Sequence, residues 1–164
     1  MSFSNRINLF LATGFGIGFA PQMPGTFGSV WGIVLVGLAY GLQIPSSVAI
    51  GINLVLLVVG IPICSRGEKI LKQPDPGAVV WDELAAVPIL FWIFYLFPTT
   101  TSPYWIALLG FGWFRLFDIL KPFPIKWFER LGGGTGIMAD DIIAALYATA
   151  AFYLSCWSLG LISV

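Results

Sequence analysis

Seven side chains in this sequence are of types and spacings that combine into chemistry. Asp82 and Glu83 are adjacent, Asp140 and Asp141 are adjacent, and Arg115, Asp118 and Lys121 recur every three residues. Arg115 and Asp118, at i and i+3, share a helix face, and Pro122 ends that helix after Lys121. Five converging carboxylates make an oxygen-rich cluster, and hard cations such as Mg²⁺ are held by carboxylates, often together with a substrate phosphate. Carboxylates brought that close also require a cation to offset their repulsion. A guanidinium and an ammonium beside the cluster suit a phosphate ester.

Plainer explanations compete. If each acidic pair opens a helix, the helix macrodipole alone favours it. That account weakens in an apolar chain, where ionisable groups at the edge of a bilayer are expensive and rarely idle. Lys69, Lys72 and Lys126 fit membrane anchoring, whereas Arg115 lies within an otherwise apolar stretch. The segment Pro24-Gly25-Thr26-Phe27-Gly28-Ser29 leads into an apolar run, so its free N–H groups can take phosphate. Thr26 and Ser29 are therefore substrate-binding candidates, with Thr26 equally explained as a helix N-cap.

Absences narrow the chemistry. The chain has no histidine, which excludes histidine nucleophiles and Ser-His-Asp hydrolysis. It carries no Walker loop, no G-x-G-x-x-G fingerprint, no cysteine-phosphatase loop and no D-x-D motif. A hydrolase built from what remains uses a carboxylate-held metal that activates water.

The elements that must position these residues read as membrane spans. Of 164 residues, 58% are hydrophobic and only 10% charged, with a mean hydropathy of +0.91, against roughly 25% charged in a soluble domain. Ile7–Ser65, Leu84–Phe114 and Ile142–Val164 contain no charge. Five apolar segments are expected: Phe27–Tyr40, Val48–Cys64, Val79–Pro98, Pro103–Phe117 and Asp141–Leu161. Leu84–Phe97 alone would reach about 21 Å, short of the ~30 Å hydrocarbon core. The third span therefore takes in Val79–Glu83, with Asp82 and Glu83 in its first turns. With five crossings every Lys and Arg falls on one side, which the positive-inside rule makes cytoplasmic. No cleavable-signal pattern is expected. Gly14/Gly18, Gly28/Gly32 and Gly37/Gly41 are small-residue pairs suited to close helix contact. Cys64 and Cys156 read as buried structural thiols, and the zero net charge gives no footprint for nucleic acid.

Five motifs in order resemble the phosphatidylglycerophosphatase A family: Ala12-Thr13-Gly14-Phe15-Gly16-Ile17-Gly18, Pro24–Ser29, Val79-Val80-Trp81-Asp82-Glu83, Phe114–Ile125 and Gly134–Asp141. They cover about residues 11 to 145. Ala139 is smaller than the residue usual before the acidic pair. The resemblance implies a Mg²⁺-dependent lipid phosphatase that converts phosphatidylglycerophosphate to phosphatidylglycerol. It maps the acidic motifs onto Asp82, Glu83, Asp118, Asp140 and Asp141, and the basic motif onto Arg115 and Lys121. The expected metal ligands are Asp82, Glu83, Asp118 and Asp141, with Asp140 on the metal or beside a ligand. The expected fold is an all-α polytopic membrane bundle of about five transmembrane helices with a polar site at the cytoplasmic end. It forms one domain over residues 1–164 in a bacterial inner membrane, with a phospholipid as partner and homo-oligomerisation open. Two rivals are a small transporter, which would want charges at mid-membrane, and a CDP-alcohol phosphotransferase, whose D-G-x-x-A-R type motif is missing.

Overall fold

The computed structural model describes residues 1–95 and 101–161, and every regular element among them is helical. α1 spans Phe3–Ala12 and is followed by a 3-10 turn, Ile17–Phe19. α2 spans Pro24–Gly41, and α3 spans Ser46–Leu71. α4 covers only Trp81–Ala86 and continues as a 3-10 segment, Val87–Tyr95. α5 (Pro103–Leu120), the short α6 (Ile125–Glu129) and α7 (Gly133–Ser158) complete the chain.

α4 and its 3-10 continuation form the central post of the bundle. Val80, Ala85, Ala86 and Leu90 are fully buried there, and α2, α3 and α7 pack around them. The helix changes type because Pro88 lacks an N–H and its ring crowds the carbonyl four residues back. The tighter 3-10 rise stretches Trp81–Tyr95 to roughly 27 Å. The entry to this post is held by the first glycine-rich turn: Val80 N–H donates to the Ala12 carbonyl at 2.9 Å. Thr13 is buried beneath that turn, its hydroxyl donating to Leu9 O at 2.7 Å and accepting from Gly16 N–H at 3.2 Å.

α2, α3 and α7 are each long and apolar enough to cross a membrane. Their outward faces carry exposed Val34, Leu38, Val55, Val58 and Leu154, a surface suited to lipid rather than water. α5 is 18 residues long and carries Arg115 and Asp118 in its last turns. It ends at Leu120, where Pro122 is expected to stop it, with Lys121 in a left-handed conformation as its cap. The expected end of the third segment at Pro98, and residues 98–100 of the turn that follows, lie outside the described residues.

Two expectations are corrected. The acidic pair Asp140–Asp141 does not open its helix: α7 begins at Gly133, seven residues earlier. The glycine run, a poor helix former by propensity, is helical because it is packed against α3. A Cβ on Gly134 would overlap the Ile61 carbonyl oxygen and sit 2.6 Å from Ser65 N. The macrodipole explanation therefore does not reach Asp140 and Asp141, about 10 Å along the helix. Of the small-residue pairs, Gly28 and Gly32 do face the central post, where added Cβ atoms would meet Val80 and Val87 at 2.8 and 2.7 Å. Gly37 and Gly41 have nothing within 4 Å and serve no close contact.

Gly134→Ala should lower stability by about 1–3 kcal/mol through this backbone clash, seen as a fall in the thermal midpoint of the purified protein in detergent. Gly37→Ala, where there is open space, should leave that midpoint in place or raise it.

Candidate active site

Five parts of the chain meet at one end of the bundle around a cavity of about 260 Å³. The first turn of α2 contributes Pro24 and Gly25, and the turn before α4 contributes Asp75 and Gly77. α4 contributes Asp82 and Glu83, the end of α5 contributes Arg115, Asp118 and Lys121, and α7 contributes Asp140 and Asp141. All seven residues expected to carry the chemistry thus line one space.

Asp82 and Asp141 are buried, and Glu83 is half-buried. One oxygen from each of these three carboxylates lies within 4.8 Å of the others. Asp82 Oδ1, Glu83 Oε2 and Asp141 Oδ2 are buried without a hydrogen-bond partner. Buried polar atoms in proteins are almost always satisfied, and three mutually repelling ones at close range are costly. A hard divalent cation coordinated by oxygen satisfies both requirements, so the donor set fits such an ion. Asp118 does not join this trio. It accepts from Arg115 Nη1 instead.

The two cationic side chains are fixed by partners. Arg115 Nη1 also donates to Ser29 Oγ at 3.4 Å, and Ser29 Oγ donates to the Gly25 carbonyl at 2.9 Å. Lys121 Nζ donates to Asp140 Oδ2 at 2.6 Å, while Asp140 Oδ1 accepts from the Asp141 N–H at 3.0 Å. Asp140 is thereby committed to Lys121 and to the backbone of its neighbour, leaving Asp141 to the trio.

Thr26 and Ser29 do not line the cavity. Ser29 is fully buried behind Arg115 and acts by holding it. Thr26 does not cap α2: Met23 is the cap residue, no side chain bonds there, and Thr26 Oγ1 is buried without a partner. Among the cavity residues outside the expected seven, Gly25 and Asp75 bear on the chemistry. The signal for Asp75 is its Asp-Pro-Gly context immediately before the acidic helix, a turn in which it takes φ +41°. The signal for Gly25 appears only in the packing, because a Cβ there would overlap Glu83 Oε1 and approach Arg115 Nη1 to 3.3 Å.

The fold and the cavity define an all-helical protein with three helices long and apolar enough to cross a membrane, and a buried carboxylate cluster flanked by Arg115 and Lys121. The chain belongs to the phosphatidylglycerophosphatase A family, a family of phosphatases, whose model matches residues 10–155. A Haemophilus influenzae protein named phosphatidylglycerophosphatase A is 38% identical over 97% of this chain and 94% of its own length. An Escherichia coli protein of the same name is 36% identical over 93% of this chain and 87% of its own. A third relative, from Bacteroides thetaiotaomicron, bears a provisional name as a phosphatidylinositol-3-phosphatase and is 32% identical over 93% of this chain and 95% of its own. No solved structure matches the chain significantly.

Gly25→Ala should displace the Glu83 carboxylate and slow phosphate release from a phospholipid phosphomonoester by about tenfold or more. The thermal midpoint should change little, since Glu83 can swing into the cavity; steady-state kinetics beside a melting curve check both.

Proposed function

We propose that the protein hydrolyses the terminal phosphomonoester of phosphatidylglycerophosphate to phosphatidylglycerol and phosphate, with Mg²⁺ held by Asp82, Glu83 and Asp141. The observation that carries the reading is the trio of buried, unpartnered carboxylate oxygens beside Arg115 and Lys121, in a chain of this family. When bound, the cation would supply Lewis-acid stabilisation and acidify water.

The chain's own residues do the rest. Arg115, braced by Ser29 and Asp118, and Lys121, braced by Asp140, offset negative charge on the phosphoryl oxygens. Their bracing means that little reorganisation is needed as charge shifts toward the leaving oxygen. Water adds to phosphorus, the bond from phosphorus to the glycerol oxygen breaks, and that oxygen leaves with a proton. Glu83 is the carboxylate best placed to take the proton of the attacking water, because it is the least buried of the trio. Asp118 serves as Arg115's partner on this reading and as a ligand only if a second ion binds.

Five crossings, with the α4 and 3-10 post as the third and α5 as the fourth, would place every Lys and Arg on the side of the cavity. The site would then face the cytoplasm from a bacterial inner membrane and meet the headgroup at the interface, with the acyl chains left in the bilayer.

Purified protein should release phosphate from phosphatidylglycerophosphate, lose that activity in EDTA and regain it on adding Mg²⁺. Release that is insensitive to EDTA would overturn the metal, and no release would overturn the substrate. Glu83→Gln should abolish turnover while the protein remains folded in the membrane; full activity in that variant removes Glu83 from its role.

A further inference from the structure

Two hydrogen bonds tie α4 to α3, one on either side of the acidic pair. Trp81 Nε1 donates to the Leu56 carbonyl at 3.1 Å, and Asn53 Nδ2 donates to the Ala85 carbonyl at 2.8 Å. Trp81 and Asn53 are both buried, at 6% and 4% exposure. Asn53 and Leu56 are one turn apart on α3, so the two bonds form a clamp from a single helix face.

The Asn53 bond answers a specific deficit. Ala85 lies where α4 gives way to the 3-10 segment. In a 3-10 register its carbonyl would accept from residue 88, and Pro88 has no N–H. A carbonyl without a donor is costly inside an apolar bundle, where no water substitutes. The Asn53 amide supplies the missing donor from the neighbouring helix. Its surroundings are otherwise apolar: with Leu35, Ile52, Leu56 and Phe91 it lines a cavity of about 190 Å³ between α2, α3 and the 3-10 segment.

α4 has six residues, too few to hold its own orientation. A slip of one residue would rotate its side chains by about 100°, which would carry Asp82 and Glu83 out of the cavity. We propose that Asn53 is a positioning residue for the phosphatase reaction, fixing the rotation of α4 and with it the placement of Asp82 and Glu83. The proposal deepens the reading of the carboxylate cavity as a phosphatase site and rests on it. Asn53 touches neither substrate nor cation and acts through the backbone of the helix that carries two of the trio.

The test compares Asn53→Leu, which keeps the bulk and removes the donor, with Asn53→Gln, which keeps a donor and has the neighbouring cavity to absorb its extra methylene. Phosphate release, melting in detergent and amide hydrogen exchange over residues 81–90 are measured on the purified full-length protein. Asn53→Leu should lower kcat by on the order of tenfold to a hundredfold with KM within about twofold. It should also speed exchange in that segment, and Asn53→Gln should recover much of both. Wild-type kcat in Asn53→Leu would overturn the proposal. So would a loss that disappears when activity is expressed per folded molecule, or an equal loss in both variants. If wild-type protein released no phosphate, the assigned reaction would fail separately. Exchange would then decide the clamp, and unchanged exchange in Asn53→Leu would overturn it.

Discussion

Three carboxylates crowded within 4.8 Å of one another, at the end of an apolar bundle, repel each other with little solvent to screen them. Their attraction for a cation grows for the same reason. Much of the fold can be understood as what is needed to bring these groups together and keep them there. Asp82 and Glu83 come from a short central helix, and Asp141 comes from a long helix that must pass close beside it. Neither helix would adopt that relation for the sake of the carboxylates. The apolar packing around them holds it, and the site draws on stability generated elsewhere in the bundle.

Close approach is achieved by leaving side chains out. Gly134 lets α7 lie against the backbone of α3, Gly28 and Gly32 let α2 lie against the central post, and Gly25 leaves room for the Glu83 carboxylate itself. The same contacts govern the cationic side: with α2 drawn in, Ser29 stands behind Arg115 and its hydroxyl links that guanidinium to the Gly25 carbonyl. One glycine-lined face of α2 thus sets both the reach of Glu83 and the posture of Arg115. Packing and chemistry are here consequences of one steric fact.

Much of this was legible because it rests on local signals. The acidic pair at the start of α4, the end of α5 before Pro122 and the clustering of all seven charged candidates follow from spacing and from the cost of charge in an apolar chain. The start of α7 was not legible, because Gly133–Gly136 has the propensity of a loop and becomes helical only against α3. The change of helix type in the central post was hidden for a related reason. Pro88 marks the place, but an unbroken apolar run does not say whether the chain bends, stops or tightens. Ser29 was recognised as polar and near phosphate chemistry, yet its contact is with Arg115, 86 positions away in sequence, which no local pattern encodes.

The charge inventory of the cavity bears directly on how a phosphate ester could enter it. Asp75, Asp82, Glu83, Asp118, Asp140 and Asp141 face two cationic side chains, Arg115 and Lys121. Both cations are already engaged by carboxylates. A dianionic headgroup approaching such a space meets net repulsion, strengthened by the apolar walls. Two divalent ions would bring the lining to neutrality, and one would leave it negative. On the proposed reading, cations held by the carboxylates would lower this repulsion before a phosphate ester enters, with Arg115 and Lys121 already braced at the cavity wall. The ion pairs then hold the cationic groups in register until the ligand arrives, which is why Asp118 and Asp140 belong to the site even where neither touches a metal.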